Sequence, residues 1–261
     1  MIIESIVVLG ILGLGFGIFL AYFSKKFEVK QDPRVEEVLK VLPNANCGAC
    51  GYAGCAAYAE AVVLSPNVPP DMCIPGQKAV ALQVAKIVGK EVSAAKAKPI
   101  PRLKCTGGSS DKFSYDGVKS CKAASLVSKG PKSCVYGCIG LGDCKEACLF
   151  GAVKMENGIP QFNPEKCIAC RACAEACPKG LIDMVPGDKQ IHVLCNSKDI
   201  AKDALKACKD GCIKCKLCEK NCPVQAITVT SGIAQIDYAK CTMCGKCITV
   251  CPKKIIVDER K

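Results

Sequence analysis

The sequence has no tryptophan, one histidine, seven phenylalanines and six tyrosines in 261 residues. This length suits two or three small domains, and so few aromatics leave their cores short of bulk. The lone histidine, His192, lies in an apolar stretch and reads as a packed side chain rather than a ligand. No G-x-G-x-x-G follows a strand-like run and no phosphate loop occurs, so no flavin or nicotinamide site is visible. What is abundant is cysteine, 24 in all. The cysteines must supply much of what holds the chain together, as disulfides in an oxidising compartment or as metal ligands in a reducing one.

The formal charge of +12 suggests an acidic partner. It counts every cysteine as neutral, whereas a metal ligand is a thiolate. Five four-iron clusters, each with four thiolates, would contribute about −2 apiece and bring the total to about +2. The basic balance is therefore no sign of a nucleic-acid partner.

Ser5 to Phe23 carry no charge. Nineteen helical residues span about 28 Å, close to the thickness of a hydrocarbon core. Lys25 and Lys26 follow, and no Lys or Arg precedes the segment. The segment reads as a retained single-pass anchor in the cell membrane, without the basic start and small-residue cleavage site of a signal peptide. The positive-inside rule places the body on the cytoplasmic side, which favours metal ligation over disulfides. Gly13 and Gly17 have the spacing that suits close packing against a partner helix, and equally suit simple glycine tolerance in a bilayer.

A short amphipathic stretch, Val35 to Leu42, precedes the first cysteine group, Cys47, Cys50 and Cys55. Gly48, Gly51 and Gly54 between them let the backbone curl tightly and offer N–H groups to sulfur. Cys73 is available as a fourth ligand. Zinc sites usually pair two separated C-x-x-C units, so this three-plus-one layout suits a four-iron cluster better. Ala79 to Val92 has helical apolar spacing, and Ala94 to Lys104 reads as a linker.

The remainder is a duplication. Adding 74 to cysteines 121, 134, 138, 144, 148, 167, 170, 173 and 177 gives a cysteine every time. The second copy has two C-x2-C-x2-C-x3-C-P runs, the bacterial two-cluster ferredoxin pattern in which the fourth cysteine serves the other cluster. The expected sets are Cys212, Cys215 and Cys218 with Cys251, and Cys241, Cys244 and Cys247 with Cys222. Between the runs, a stretch alternating around Ser231-Gly232 reads as a hairpin, as does its counterpart around Asn157-Gly158. The first copy keeps one complete set, Cys167, Cys170 and Cys173 with Cys148. Its other set, Cys138, Cys144 and Cys177, lacks a ligand because Leu141 stands where the second copy has Cys215. Leu149 likewise replaces a proline. Cys134, four residues before Cys138, is the expected replacement. Cys105 is a second option, and a three-iron cluster a third. With Cys134 used, Cys105, Cys121, Cys195 and Cys208 remain, either as buried thiols or as ligands of a sixth cluster.

A membrane helix, the cysteine–glycine run at 44–55 with a distant Cys73, and ferredoxin modules together resemble the B subunit of the Rnf electron-transport complex over nearly the whole chain. The doubled ferredoxin part resembles the longer versions found in anaerobes. The expected fold is one N-terminal transmembrane helix (1–26), a small α-rich [4Fe-4S] domain (27–93), a linker (94–120) and two tandem α+β two-cluster ferredoxin-like modules (121–194 and 195–261). The resemblance implies electron transfer from reduced ferredoxin into a membrane complex that reduces NAD+ and moves Na+ or H+. Its implied partners are soluble ferredoxin, the other subunits and the bilayer. Lys214, Lys216, Lys220 and Lys246 can steer an acidic donor. Two competing readings are an electron-transfer subunit of a hydrogenase or 2-oxoacid oxidoreductase, and a membrane-tethered metal sensor.

Overall fold

The computed structural model describes residues 2–26, 32–92 and 97–260. The first element is the 25-residue helix α1 (Ile2–Lys26), which ends on Lys25 and Lys26. It is long and apolar enough to cross a membrane, and none of its apolar window is buried by the rest of the chain.

Three helices make the next unit: α2 (Pro33–Val41), α3 (Cys55–Leu64) and α4 (Gln77–Val88). Asp32 caps α2, with Pro33 at its first turn. Gly89 ends α4 in the left-handed conformation, φ 69°. Their inward faces bury Val38, Leu42, Tyr58, Val62 and Val84 against Cys73. The Lys90 ammonium donates to the carbonyls of Val62, Ser65 and Val68 at 2.7, 2.7 and 2.9 Å and so closes the loop between α3 and α4.

The ferredoxin-like part runs β1 (Pro99–Leu103), α5 (Cys121–Leu126), α6 (Asp143–Glu146), β2 (Val153–Glu156), β3 (Ile159–Phe162), α7 (Ala172–Glu175) and β4 (Ile182–Pro186). It continues with β5 (Ile191–Val193), α8 (Ala201–Ala207), α9 (Leu217–Lys220), β6 (Ile227–Thr230), β7 (Ile233–Ile236), α10 (Lys246–Thr249) and β8 (Ile256–Asp258). Both expected hairpins form, β2–β3 and β6–β7. Asn157-Gly158 and Ser231-Gly232 all have positive φ, as a two-residue hairpin turn with right-handed strand twist needs.

The other two pairings regroup the chain. β1 lies inside the stretch read as a linker, yet pairs antiparallel with β4, Leu103 opposite Ile182. Residues 94–96 of that stretch lie outside the described residues. β5, read as the end of the first module, pairs with β8 of the second, Val193 opposite Ile256. The amide of Lys104 donates to Leu181 O, and that of Leu194 to Ile255 O. These pairings make Leu103 the counterpart of Val193 and Cys105 the counterpart of Cys195. The match of Cys121 with Cys195 at the offset of 74 is therefore one of position only. The extra residues between Cys105 and Cys134 form an insert that carries α5.

The modules abut. Buried Arg102 on β1 forms an ion pair with Glu259, just beyond β8. His192 on β5 is 2% exposed, with its Nδ1 3.0 Å from Tyr238 Oη. Burial, and then the nearby charge of Arg102, depress its pKa to about 4. The folded imidazole therefore refuses a proton that the unfolded chain accepts below about pH 6.5. Stability should fall as pH drops from about 6.5 toward 4, by up to about 3 kcal/mol, and be unaffected above that window. Denaturant unfolding at pH 7 and pH 5 should show this slope in the natural protein. The slope should flatten in His192→Gln.

Candidate metal centres

Each of the four ferredoxin-type runs, including the one where Leu141 replaces the middle cysteine, is wound by left-handed residues at fixed places. Gly140, Ala169, Lys214 and Met243 occupy one such place, and Gly142, Arg171, Lys216 and Gly245 the next, all with φ between 56° and 91°. Non-glycine residues in this region cost on the order of 1–2 kcal/mol each. They persist where surrounding structure dictates them, often at functional sites. The effect is to point successive sulfurs inward and to free amides for them. Sγ of Cys148, Cys222 and Cys177 accept N–H from Ala152, Ala226 and Leu181 at 3.3, 3.2 and 3.5 Å. In the helical unit, Asn46 Oδ1 accepts the Cys55 amide at 2.9 Å and holds the start of α3 against the cysteine loop. A Cβ on Gly54 would lie 2.9 Å from that same oxygen, so the approach requires glycine there.

Five cavities are each lined by four cysteines. One gathers Cys47, Cys50, Cys55 and Cys73. A second gathers Cys148, Cys167, Cys170 and Cys173. A third gathers Cys212, Cys215, Cys218 and Cys251, and a fourth Cys222, Cys241, Cys244 and Cys247. These groupings coincide with the sets expected from spacing.

The fifth cavity holds the altered set in a different grouping. It is lined by Cys138, Cys144 and Cys177 with Cys121, not with Cys134 or Cys105. Asp143 explains why. Its carboxylate accepts the amides of Cys121 and Lys122 at 2.7 and 3.0 Å and the Ser120 hydroxyl at 2.9 Å. It thereby pins the start of α5 beside the neighbouring Cys144. Burial works against ionisation of Asp143, but these hydrogen bonds outweigh it and hold the carboxyl below its usual range. Cys134 instead faces Cys105, Cys208 and Cys195. Sequence reasoning missed Cys121 because its counterpart at 74 drew it away. The usable signal was Asp143, an acid next to Cys144 with no counterpart in the other runs.

Electrostatics call for a cationic core. Burial first, then the neighbouring cysteines, push Cys138 and Cys173 up to about 12 and Cys144 and Cys247 up to about 11. Without a cation such thiols stay protonated, so metal binding must release protons. At Cys222 burial also raises the pKa, but four backbone N–H groups, that of Ala226 foremost, bring it below the ordinary value. The Lys214 ammonium is buried without a hydrogen-bond partner and lines the cavity of Cys212, Cys215, Cys218 and Cys251. It is therefore not available to steer a donor, as the sequence suggested. An anionic cluster bound in that cavity would give it a counter-charge. Lys216, Lys220 and Lys246 are exposed. Among the described residues no three Cys, His, Asp or Glu side chains are gathered tightly enough for a single ion. The cysteines surround cavities instead, and these fit iron–sulfur clusters.

An apolar helix able to anchor the chain, joined to a body with four-cysteine cavities in series, defines a multi-centre iron–sulfur electron carrier. Residues 42–75 match an Fe-S cluster family, residues 160–183 the 4Fe-4S binding domain and residues 211–255 the 4Fe-4S dicluster domain. The chain is 44% identical over 259 residues to the B subunit of the ion-translocating oxidoreductase complex of Methanosarcina acetivorans, covering 98% of this chain and 97% of that one. It is 45% identical over 259 residues to the B subunit of the proton-translocating ferredoxin:NAD(+) oxidoreductase complex of Clostridium ljungdahlii, covering 96% and 90%. It is 41% identical over 262 residues to the B subunit of the Na(+)-translocating ferredoxin:NAD(+) oxidoreductase complex of Acetobacterium woodii, covering 99% and 78%. The chain belongs to the family of B subunits of ion-translocating oxidoreductase complexes, and it is the iron–sulfur electron-transfer subunit.

Proposed function

We propose that this chain accepts electrons from a reduced soluble ferredoxin at its C-terminal module and relays them singly toward the membrane subunits of a ferredoxin:NAD+ oxidoreductase complex. The observation that carries this reading is the series of five cavities, each lined by four cysteines. A [4Fe-4S] cluster, when bound, supplies one-electron storage at low potential. The proposed ligands are the cysteine sets that line the cavities, with Cys121 as the fourth ligand beside Cys138, Cys144 and Cys177. The backbone amides aimed at sulfur and the buried Lys214 ammonium tune the potentials by stabilising negative charge.

Exposure supports this direction of transfer. Cys215 and Cys244 are the exposed cysteines of the chain, and both lie in the second module. Exposed Lys216, Lys220 and Lys246 stand beside them and suit an acidic donor. The helical unit with Cys47, Cys50, Cys55 and Cys73 follows the anchor in sequence and so lies nearest the bilayer end. The strand pairings favour module boundaries near 97–188 and 189–260. Lys25 and Lys26 at the end of the anchor favour the cytoplasmic side for the body.

One experiment addresses donor and sidedness together. Reduced ferredoxin added outside inside-out membrane vesicles should bleach the cluster absorbance of this protein within a turnover, and the same addition to right-side-out vesicles should not. Bleaching in right-side-out vesicles alone would reverse the topology, and no bleaching in either would remove ferredoxin as the donor.

A further inference from the structure

Four cysteines line none of the five cavities: Cys105, Cys134, Cys195 and Cys208. They are scattered over a long stretch of sequence, yet the fold brings them to one place between the two modules. Cys105, Cys208 and Cys195 are the electrostatic neighbours of the Cys134 thiol, in that order. Cys105 and Cys195 are in turn neighbours of Cys208. The backbone is stitched across the same gap. The Ser109 hydroxyl accepts the Cys134 amide at 2.8 Å and donates to the carbonyl of Ala207, the residue before Cys208, also at 2.8 Å.

The four are related in pairs by the duplication. Cys105 and Cys195 each follow the N-terminal strand of their module. Their sulfurs accept equivalent amides, Cys138 N–H at 3.4 Å and Cys212 N–H at 3.5 Å. Cys134 and Cys208 occupy equivalent loops, each held by an equivalent lysine. Lys179 donates to Val135 O at 2.9 Å, and Lys253 to Lys209 O at 2.5 Å. Each module thus presents two free cysteines to the other, Cys134 buried and the other three half-buried. Buried spare thiols need no such pairing, no shared amide geometry and no common location.

We propose that Cys105, Cys134, Cys195 and Cys208 ligate a further [4Fe-4S] cluster shared between the two ferredoxin modules, with each module supplying two of the four thiolates. This inference rests on the reading of the five cavities as cluster sites. The site makes the module interface a metal-bridged joint and gives single electrons a stepping point between the modules.

Full-length protein purified anaerobically in detergent should contain about twenty-four irons and as many acid-labile sulfides per chain. Cys195→Ala and Cys208→Ala, both on the second module's side, should each lose about four. Cys134→Ser, which keeps the loop's shape, should alter the Mössbauer signal of one cluster and leave the others unchanged. About twenty irons in the natural chain, with no loss in these variants, would overturn the shared site and leave the five cavities standing. A natural chain holding far fewer than about twenty would overturn the five-site reading and this inference with it.

Discussion

Stripping iron from the full chain should unfold both ferredoxin modules and leave the anchor helix intact. The strands are three to five residues long and form separate two-stranded sheets. Such pairs are marginal without a substantial apolar face. The available cores are small and are completed by ligands: Cys144 and Cys173 sit among Leu103, Val153, Leu181 and Ile182 in the first module. In the second, Cys218, Cys222 and Cys247 pack against Ile191, Ile227 and Ile256. The left-handed residues that wind each run add a cost that a bound core would help offset. Structural metal sites contribute on the order of 10 kcal/mol to folding. Anaerobic chelation should therefore abolish the protease resistance of residues 97–260 and the far-UV signal of their strands. A stripped chain that still resisted protease there would show that side-chain packing alone sustains the modules.

The second large effect is expected at Cys121. Cys121→Ala should cost the cluster of Cys138, Cys144 and Cys177 its fourth ligand. The oxidised protein should then show a three-iron EPR signal or lose about four irons. Asp143→Ala should weaken the same site without removing a ligand, because it releases the amides of Cys121 and Lys122. Unchanged iron and EPR in Cys121→Ala would return the fourth position to Cys134 or Cys105.

The cysteine runs, the anchor and both hairpins were legible because each depends on local spacing: cysteines a few residues apart, an uncharged span of bilayer length, a two-residue turn with glycine second. The strand β1 was not. Pro99 and Pro101 make its sequence look like a linker, and its partner β4 lies some eighty residues on, so only the tertiary pairing reveals it. That pairing also exposes the one false equivalence in the repeat. Cys121 and Cys195 share the offset of 74, but Cys105 and Cys195 share a place in the fold. Lys214 looked like a steering charge because it stands between cysteines in a polar run. The fold buries its ammonium against the cluster cavity, which no local pattern announces.

The most direct test of the chain as a multi-centre electron carrier is a coulometric reduction of the full-length protein, monitored by Mössbauer spectroscopy of 57Fe. Essentially all iron should be present as four-iron clusters, and the chain should take up about five electrons or more. Zinc in place of iron, or uptake of less than about one electron per chain, would contradict a multi-centre carrier.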